Sequence, residues 1–523
     1  MPLSWRVSMR WRAACLVAAE YATRTVDLLV IGGGINGAGI ARDAAGRGLS
    51  VVLCEKDDLA GHTSSASTKL VHGGLRYLEQ FEFRLVAEAL REREVLLRAA
   101  PHIVWPLRFV LPADAAMRRR WMLRAGLALY DVLGGFGRTL PGSRAIRLDR
   151  PPHRAVLQER LARGFEYSDC WVDDARLVVL AAMDARERGA RIYTRCQCVA
   201  LERGPDRWRA TLRGEEGERV IEARAVVNAA GPWVEAVAAL ALGRGTHAHL
   251  RLVKGSHIVV PRSILGDHAY VLQQPDRRIV FAIPYERDFM LVGTTDESFS
   301  GDPGAVTISD AEVDYLIAAI GRSFRSGISR DEIVWSYAGV RPLYEDRARS
   351  NSTVTRDYVF EIDTAGQSAA PPILSVYGGK ITTFRRLAEH ALTKLSRYLP
   401  MGQAWTRDAP LPGGDMEDFA AFLWNASERW PWAPPEMLNR MARAYGTRME
   451  RMLEGAGSMA GLGRMVAGDL SEAELRYLVE QEFALGAEDI LWRHSKVGLH
   501  LGPGAVAAVE AWLAGRQAQG PAA

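Results

Sequence analysis

The chain is 523 residues long, 48% hydrophobic and 24% charged, with a formal net charge of +4. Those proportions supply a sizeable core for two or three domains and exclude a disordered chain. The charge excess is too small and too dispersed to point to nucleic acid, so local clusters must define any anionic ligand.

Five cysteines (Cys15, Cys54, Cys170, Cys196 and Cys198) without a C-x-x-C pair exclude a disulfide scaffold. They fit a reducing compartment, with buried thiols and no metal site. No apolar run reaches the roughly 20 residues of a membrane-spanning helix. Residues 1–25 form an N-terminal extension in which Arg6, Arg10 and Arg12 precede the apolar run Ala13 to Ala19. That run sits at the lower limit of a secretory signal's apolar region, about 7 to 15 residues, so a disordered leader or a basic surface helix is expected.

The first strongly patterned stretch is Val30 to Glu55, VIGGGINGAGIARDAAGRGLSVVLCE. Leu28 to Ile31 reads as a buried strand, and Gly32, Gly34 and Gly37 as a G-x-G-x-x-G turn. Ala38 to Gly46 reads as a small-residue helix, and Val51 to Leu53 as a parallel strand ending at Glu55. The turn from Gly32 through Gly33, Gly34, Ile35 and Asn36 to Gly37 would seat a pyrophosphate on unpaired N–H groups at the helix N-terminus. Glu55 would accept hydrogen bonds from an adenosine ribose and repel a 2′-phosphate, which disfavours NADP. The motif alone does not choose between FAD and NAD. Beyond it, Thr63 to Thr68 is a hydroxyl-rich loop suited to packing against a cofactor, and Lys69, His72, Arg76 and Tyr77 gather around Gly73-Gly74. From Phe81 the apolar spacing is helical until Pro101.

The strings VIGGGINGAGIARDAAGRGLSV, TSSASTKLVHGGLRYLE and FEFRLVAEALREREVLL resemble the aerobic, quinone-linked, FAD-dependent glycerol-3-phosphate dehydrogenases. The likeness continues in order through GFEYSDCWVDDARLV, VVNAAGPWV, LVKGSHIVVP, VGTTD, YAGVRPL and YGGKITTFRRLAEHAL. It implies noncovalent FAD, oxidation of sn-glycerol 3-phosphate to dihydroxyacetone phosphate, and a quinone acceptor. It also implies a peripheral place on the membrane surface, at the cytoplasmic face of the inner membrane. Cofactor contacts are implied for Lys56, Thr63, Ser64, Ser65, Ser67, Lys69, Ala230, Gly231, Gly339, Gly379, Lys380, Ile381 and Thr382. A substrate pocket is implied for Arg76, Tyr77, Arg341 and Lys380, where guanidinium forks could clasp a phosphate. His257 is the first candidate for the base and His72 the second. Arg341 and Lys380 could instead lower the pKa of the substrate hydroxyl and make a discrete base unnecessary. Within the same fold, a peroxide-forming glycerol-3-phosphate oxidase or an amino-acid-oxidase-like enzyme is the alternative. A noncatalytic flavin-binding module is the alternative of another class.

Between Arg118 and Tyr130, arginines alternate with Trp121, Met122, Leu123, Leu127 and Leu129. This is either a membrane-interface helix or a core helix with a basic outer face, and the resemblance favours the membrane. Phe165 to Ala182 reads as an acidic loop (Asp169, Asp173, Asp174) leading into a helix over Ala175 to Arg188. Strands are expected at Arg191 to Tyr193, Arg207 to Leu212 and Val220 to Asn228, the last ending at Ala229-Ala230-Gly231-Pro232. Leu250 to Ile308 has the pattern of an antiparallel sheet roofing the flavin, and Ser309 to Ser326 that of a helix. A strand over Val354 to Ile362 and another at Leu374 to Val376 follow, and the second leads through Gly378-Gly379-Lys380 into a helix. From Leu411 the period is helical, with a Ser471 to Glu474 capping box. The expected fold is therefore α/β. A Rossmann-like FAD-binding domain and an antiparallel β-rich substrate domain interleave over 26–410, the β-rich portions falling near 80–160 and 250–345. Residues 411–523 would form an all-α domain with a packing or homodimer role.

Overall fold

The strand Arg24–Ile31 (β1) is longer than the apolar run that predicts it. Its neighbour Gly217–Asn228 continues the parallel ladder back to Arg24, beyond the buried Leu28 to Val30. On its other side lies Val51–Cys54 (β2), also parallel, with Leu28 opposite Val51. The connecting helix Ile35–Gly46 (α1) starts three residues earlier than predicted, because Gly34 is already its N-cap. A computed structural model describes residues 24–114, 117–135, 139–243, 249–262, 266–345, 357–367 and 370–519. The expectations for residues 1–23, including Cys15, lie outside the described residues, as does the part of the predicted 354–362 strand before residue 357.

The first sheet runs Val359–Asp363, Ile373–Tyr377, Gly217–Asn228, β1, β2, Arg191–Tyr193, and the antiparallel strands Gln197–Arg203 and Trp208–Gly214 join through Gly217–Asn228. The second sheet has ten strands built around the antiparallel ladders of His249–Pro261, Phe289–Gly293, Ile279–Tyr285 and Ala269–Gln273. It continues through Val104–Pro112 and Arg163–Val172 to Leu70–Val71, and Trp335–Glu345 pairs with His249–Pro261 along its outer side. The expected roof is thus present and larger than its sequence pattern.

Part of that enlargement overturns a sequence expectation. Residues 163–172 form a strand, not an acidic loop, and nearly all of it is buried. Asp169 survives inside because Arg93 and the Tyr130 hydroxyl satisfy its carboxylate at 2.8 Å each, and both come from distant elements. The helix Asp174–Glu187 follows, with every residue from Asp174 to Ala185 buried. It lies between α1 and the C-terminal region, and its charges pair accordingly. Arg42 reaches Asp184 at 2.6 Å, and Arg176 forks onto Glu482.

The C-terminal region is helical, including Phe419–Arg429, Pro435–Tyr445, Glu472–Gln481 and Gly504–Gln519, with a small hairpin of Met465–Ala467 and Leu470–Ser471. Its Met437, Leu438, Met441, Leu475, Leu478 and Ile490 belong to the same hydrophobic cluster as Leu28, Val30 and Leu177 to Leu180. Ser471 caps its helix as expected, accepting from the Glu474 N–H at 3.2 Å. The reciprocal half of the capping box is not formed, since the Glu474 carboxylate binds Arg440 and the Tyr445 hydroxyl, each at 2.6 Å.

One buried group makes this junction pH-dependent. His494 lies between Glu482 at 3.0 Å and Asp489 at 3.2 Å. Burial lowers its pKa, but the two carboxylates outweigh that and push it up to about 9. The folded pKa exceeds the unfolded value of about 6.5, so the contribution is complete below pH 6.5 and disappears as pH rises through about 9. It amounts to roughly 3 kcal/mol. The wild-type melting temperature should therefore fall over that window more steeply than that of His494→Gln. Parallel profiles for the two proteins would show that His494 is not charged in the fold.

Candidate functional site

Three close approaches explain the glycines of the first turn. Gly32 has φ +113°, and a Cβ there would stand 2.5 Å from the Ala229 carbonyl oxygen. A Cβ on Gly37 would lie 1.9 Å from the Gly32 oxygen, and one on Gly33 would lie 2.7 Å from the Glu55 Cβ. The turn is thus pressed between the adjoining strand ends. Glu55 has a structural share in this. Its carboxylate accepts from Gly33 N at 2.6 Å and from Asp57 N at 2.9 Å. The first N–H of α1, on Ile35, donates to Ser64 Oγ at 3.0 Å, and no acid occupies the first turn.

Beside this turn lies a cavity of about 370 Å³. Glu55, Lys56, Cys196 and Cys198 line it, as do Gly32, Gly34, Ile35 and Asn36, and Ala230, Gly231 and Gly379 complete its wall. Asn36 ties the turn to the late glycine corner through Nδ2, which donates to the Gly378 oxygen at 3.0 Å. Its buried Oδ1 has no hydrogen-bond partner on that wall. Lys56 lies 4.3 Å above the Trp233 ring, and His62 packs on the same ring at 4.6 Å. A long cavity between two strand-to-glycine corners, with a helix N-terminus at its side and an orphaned polar atom facing it, fits FAD. Glu55, Asp57 and His62 bring ligand atoms within 4.8 Å of one another, but the Lys56 ammonium already bonds Asp57 and lies 3.2 Å from His62.

The hydroxyl-rich loop is held largely by its own side chains. Thr63 donates to the Val340 oxygen at 2.7 Å, Ser65 to the His62 oxygen at 3.2 Å, and Ser67 to Asp174 at 2.7 Å. Lys69 is buried and paired with Asp174 at 2.8 Å. Of the loop residues expected at the cofactor, Thr63 and Ser64 line the 370 Å³ cavity, whereas Ser65 and Lys69 face a different one. Gly339 lets its strand press on the loop, where a Cβ would meet Ala66 at 2.7 Å. Ile381 and Thr382 form a short turn before the helix Phe384–Leu395, and the Thr382 hydroxyl lies 3.3 Å from the His72 N–H.

A second pocket of about 190 Å³ opens beneath the roof, lined by His72, Arg76, Tyr77, Tyr167, Phe281 and Thr294 to Asp296 among others. Arg341 is there, with Nη2 3.2 Å from the Thr295 oxygen and 3.3 Å from Asp296. Lys380 stands behind the wall, its ammonium 3.8 Å over the Tyr77 ring. Two further guanidinium groups join them, Arg278, which the sequence does not single out, and Arg118, which it places on the amphipathic helix instead. Arg118 pairs with Glu79 and Arg278 with Glu297 at 2.8 Å. Arg76, Arg118, Arg278 and Arg341 thus converge on one pocket, with Glu79 and Asp296 on its wall and Glu297 and Asp276 holding Arg278 from outside it.

The two candidate bases occupy different places. His72 is on the pocket wall, and burial first, then Lys380, lower its pKa to about 4. His257 does not line the pocket. It is buried behind Thr68, whose hydroxyl lies 3.0 Å from Nε2, and stacks on Tyr337 at 4.8 Å. Burial, Lys69 and Arg341 bring its pKa to about 3.

A dinucleotide cradle near an arginine-lined pocket under a β-roof defines an FAD-dependent oxidoreductase. Residues 27–371 match the family model described as FAD dependent oxidoreductase, and residues 404–514 match the C-terminal domain of alpha-glycerophosphate oxidase. A glycerol-3-phosphate dehydrogenase of Pseudomonas aeruginosa is 52% identical over 91% of this chain and 93% of its own. A D-erythritol 1-phosphate dehydrogenase of Brucella abortus is 51% identical over 94% and 98%. The solved glycerol-3-phosphate dehydrogenase of Bacillus halodurans, complexed with FAD, superposes with a TM-score of 0.75 at 28% identity, covering 97% of this chain and 93% of that one. The chain belongs to the FAD-dependent glycerol-3-phosphate dehydrogenase family.

Proposed function

We propose that the protein oxidises sn-glycerol 3-phosphate to dihydroxyacetone phosphate and passes the electrons to a membrane quinone. The observation that carries this reading is the convergence of four guanidinium groups on one pocket near the flavin cradle, a set of planar forks that suits a phosphate monoester. Bound FAD supplies the two-electron acceptor for the C2 hydrogen. Arg341 and Arg76 clasp the phosphate, and the neutral imidazole of His72 receives the C2 hydroxyl proton. A bound dianion raises the pKa of His72 as it docks, bringing the base closer to its working range. His257 orients Thr68 from behind. Anaerobic addition of glycerol 3-phosphate to the yellow protein should bleach its visible absorbance stoichiometrically. No bleaching would reject the reading, and peroxide produced in air at the full turnover rate would make it an oxidase.

A second reading comes from the Brucella relative, whose name specifies a four-carbon phosphate and whose chain is covered to 98%. Steady-state turnover of D-erythritol 1-phosphate and of glycerol 3-phosphate with a soluble acceptor separates the two by their kcat/KM values.

Membrane association is supported by the helix Arg120–Leu133. Leu127 and Tyr130 point into the core, while Trp121, Met122, Leu129 and Val132 are exposed beside Arg119, Arg120 and Arg124. Phe81 and Phe83, near the same surface, are exposed as well. Basic side chains around an unpartnered apolar face suit the anionic cytoplasmic leaflet of the inner membrane. Among the described residues no helix is long and apolar enough to cross a membrane. A Trp121→Ser/Val132→Ser variant should lose at least ten-fold in affinity for anionic vesicles while keeping its rate with a soluble acceptor. Unchanged vesicle binding would take this helix out of the interface.

A further inference from the structure

We infer that Lys496, in the C-terminal region, is a positioning residue for the flavin-facing loop 63–69, acting through the adjacent carboxylates Asp173 and Asp174. The inference rests on the reading of that loop as a wall of the cofactor site.

The loop is tied down by one carboxylate. Asp174 Oδ2 accepts from the Ser67 hydroxyl at 2.7 Å and from the Ser67 N–H at 3.2 Å, and Oδ1 accepts from Lys69 at 2.8 Å. Lys69 also donates to the Ser65 oxygen at 2.9 Å, so its ammonium closes the loop upon itself. Its backbone is left-handed, at φ +58°, a conformation that a non-glycine residue keeps only where its surroundings fix it. The loop is therefore as well placed as Asp174 and Lys69 are.

Two lysines share this site with the neighbouring acids Asp173 and Asp174, and Glu286 is close enough to act on both lysines. Asp173 caps the helix Asp174–Glu187, accepting from Arg176 N at 3.1 Å, and also accepts from Lys496 Nζ at 2.6 Å. Lys496 Nζ is 3.9 Å from Asp174 Oδ1, and its own backbone is left-handed at φ +56°. Without Lys496, one ammonium would face two adjacent carboxylates, with Glu286 nearby, in a low-dielectric interior. Lys69 is the cation that would move to answer them, and it would leave Ser65 to do so.

The neighbouring contacts run the same way. Arg493 pairs with Asp58 at 3.1 Å, just before the loop, and Trp492 stacks at 4.9 Å on Trp335, whose strand carries Gly339 against Ala66. Between these points a cavity of about 390 Å³ separates the C-terminal segment from the loop, with Ser65, Ala66, Lys69 and Lys496 on its walls. Around this cavity, discrete ties at Asp58, Trp335 and Asp173 connect the segment to the loop's surroundings. The ammonium of Lys496 bears directly on the loop's anchor.

The test uses the holoprotein with Lys496→Met, Lys496→Arg and Asp173→Asn, the last keeping a good helix cap while removing the charge that holds Lys496. All are compared well below their melting temperatures. Lys496→Met and Asp173→Asn should speed amide hydrogen exchange in residues 63–69 at least ten-fold in both holo and apo protein, shift the flavin absorption band, and weaken FAD binding about ten-fold. Lys496→Arg should restore most of this. Wild-type exchange in 63–69 with an unchanged flavin band, whatever the change in melting temperature, would overturn the inference. It would leave the proposed reaction standing, because that reading fails only if the wild-type flavin is not bleached by substrate.

Discussion

Gly37→Ala should yield a colourless protein, with FAD affinity reduced at least 100-fold. The added methyl would lie 1.9 Å from the Gly32 carbonyl oxygen, far inside van der Waals contact, and that oxygen has little room to retreat. Gly32 donates its own N–H to the Cys54 oxygen at 2.8 Å, and the Ala229 carbonyl stands against its other side. The strain has to be relieved by opening the turn, which carries the N–H groups at the start of α1 away from a pyrophosphate. Gly321→Ala is a suitable control, since nothing lies within 4 Å of its Cβ position, φ is helical, and alanine favours the helix. Absorbance and the stoichiometry of FAD released on denaturation read the result. If Gly37→Ala retained one FAD per chain, the first glycine turn could not be the pyrophosphate seat.

That turn was legible in the sequence because its information is local. The three glycines, the small-residue helix and the two flanking apolar runs all fall within about thirty residues, and each constraint acts on near neighbours. Asp169 shows the opposite case. In sequence it stands among acids and reads as a loop, while in space Arg93 and Tyr130, many residues away, make it a strand residue. Arg118 and Arg278 were missed for a related reason. Arg278 is one arginine on an unremarkable element and Arg118 reads as the start of the amphipathic helix, which begins only at Arg120; the pairing of Ala269–Gln273 with Val104–Pro112 brings their elements together. The histidines show what register decides. His257 sits opposite both Gly293 and Tyr337, which fixes its ring inside the sheet packing, whereas His72 leaves its strand just after Val71 and reaches the pocket. A sequence motif names both residues but cannot say which side of the sheet each one faces.

Arg341→Ala should lower kcat/KM for glycerol 3-phosphate roughly 100-fold while the protein stays yellow. Arg341 lies on Trp335–Glu345 opposite Val253, and its side chain is 39% exposed towards the pocket. Its contacts with the Thr295 oxygen and Asp296, at 3.2 and 3.3 Å, fix the guanidinium on the pocket wall, where its planar fork suits an incoming phosphate. Hydrogen bonds to a charged group contribute about 1.5 to 3 kcal/mol, and 2.7 kcal/mol corresponds to a factor of about 100. Arg341 lines the 190 Å³ pocket and not the 370 Å³ cavity, so FAD content should be unaffected. Removing it leaves Asp296 beside the phosphate with its nearest cation gone, so the loss should fall on KM first, and on kcat to the extent that the substrate sits out of line with the flavin. Arg341→Lys should recover only part of the loss, because an ammonium keeps the charge but not the planar fork. Steady-state kinetics with a soluble acceptor, with flavin content measured on the same samples, decide the point. Kinetics like those of the wild type in Arg341→Ala would take Arg341 out of the phosphate site.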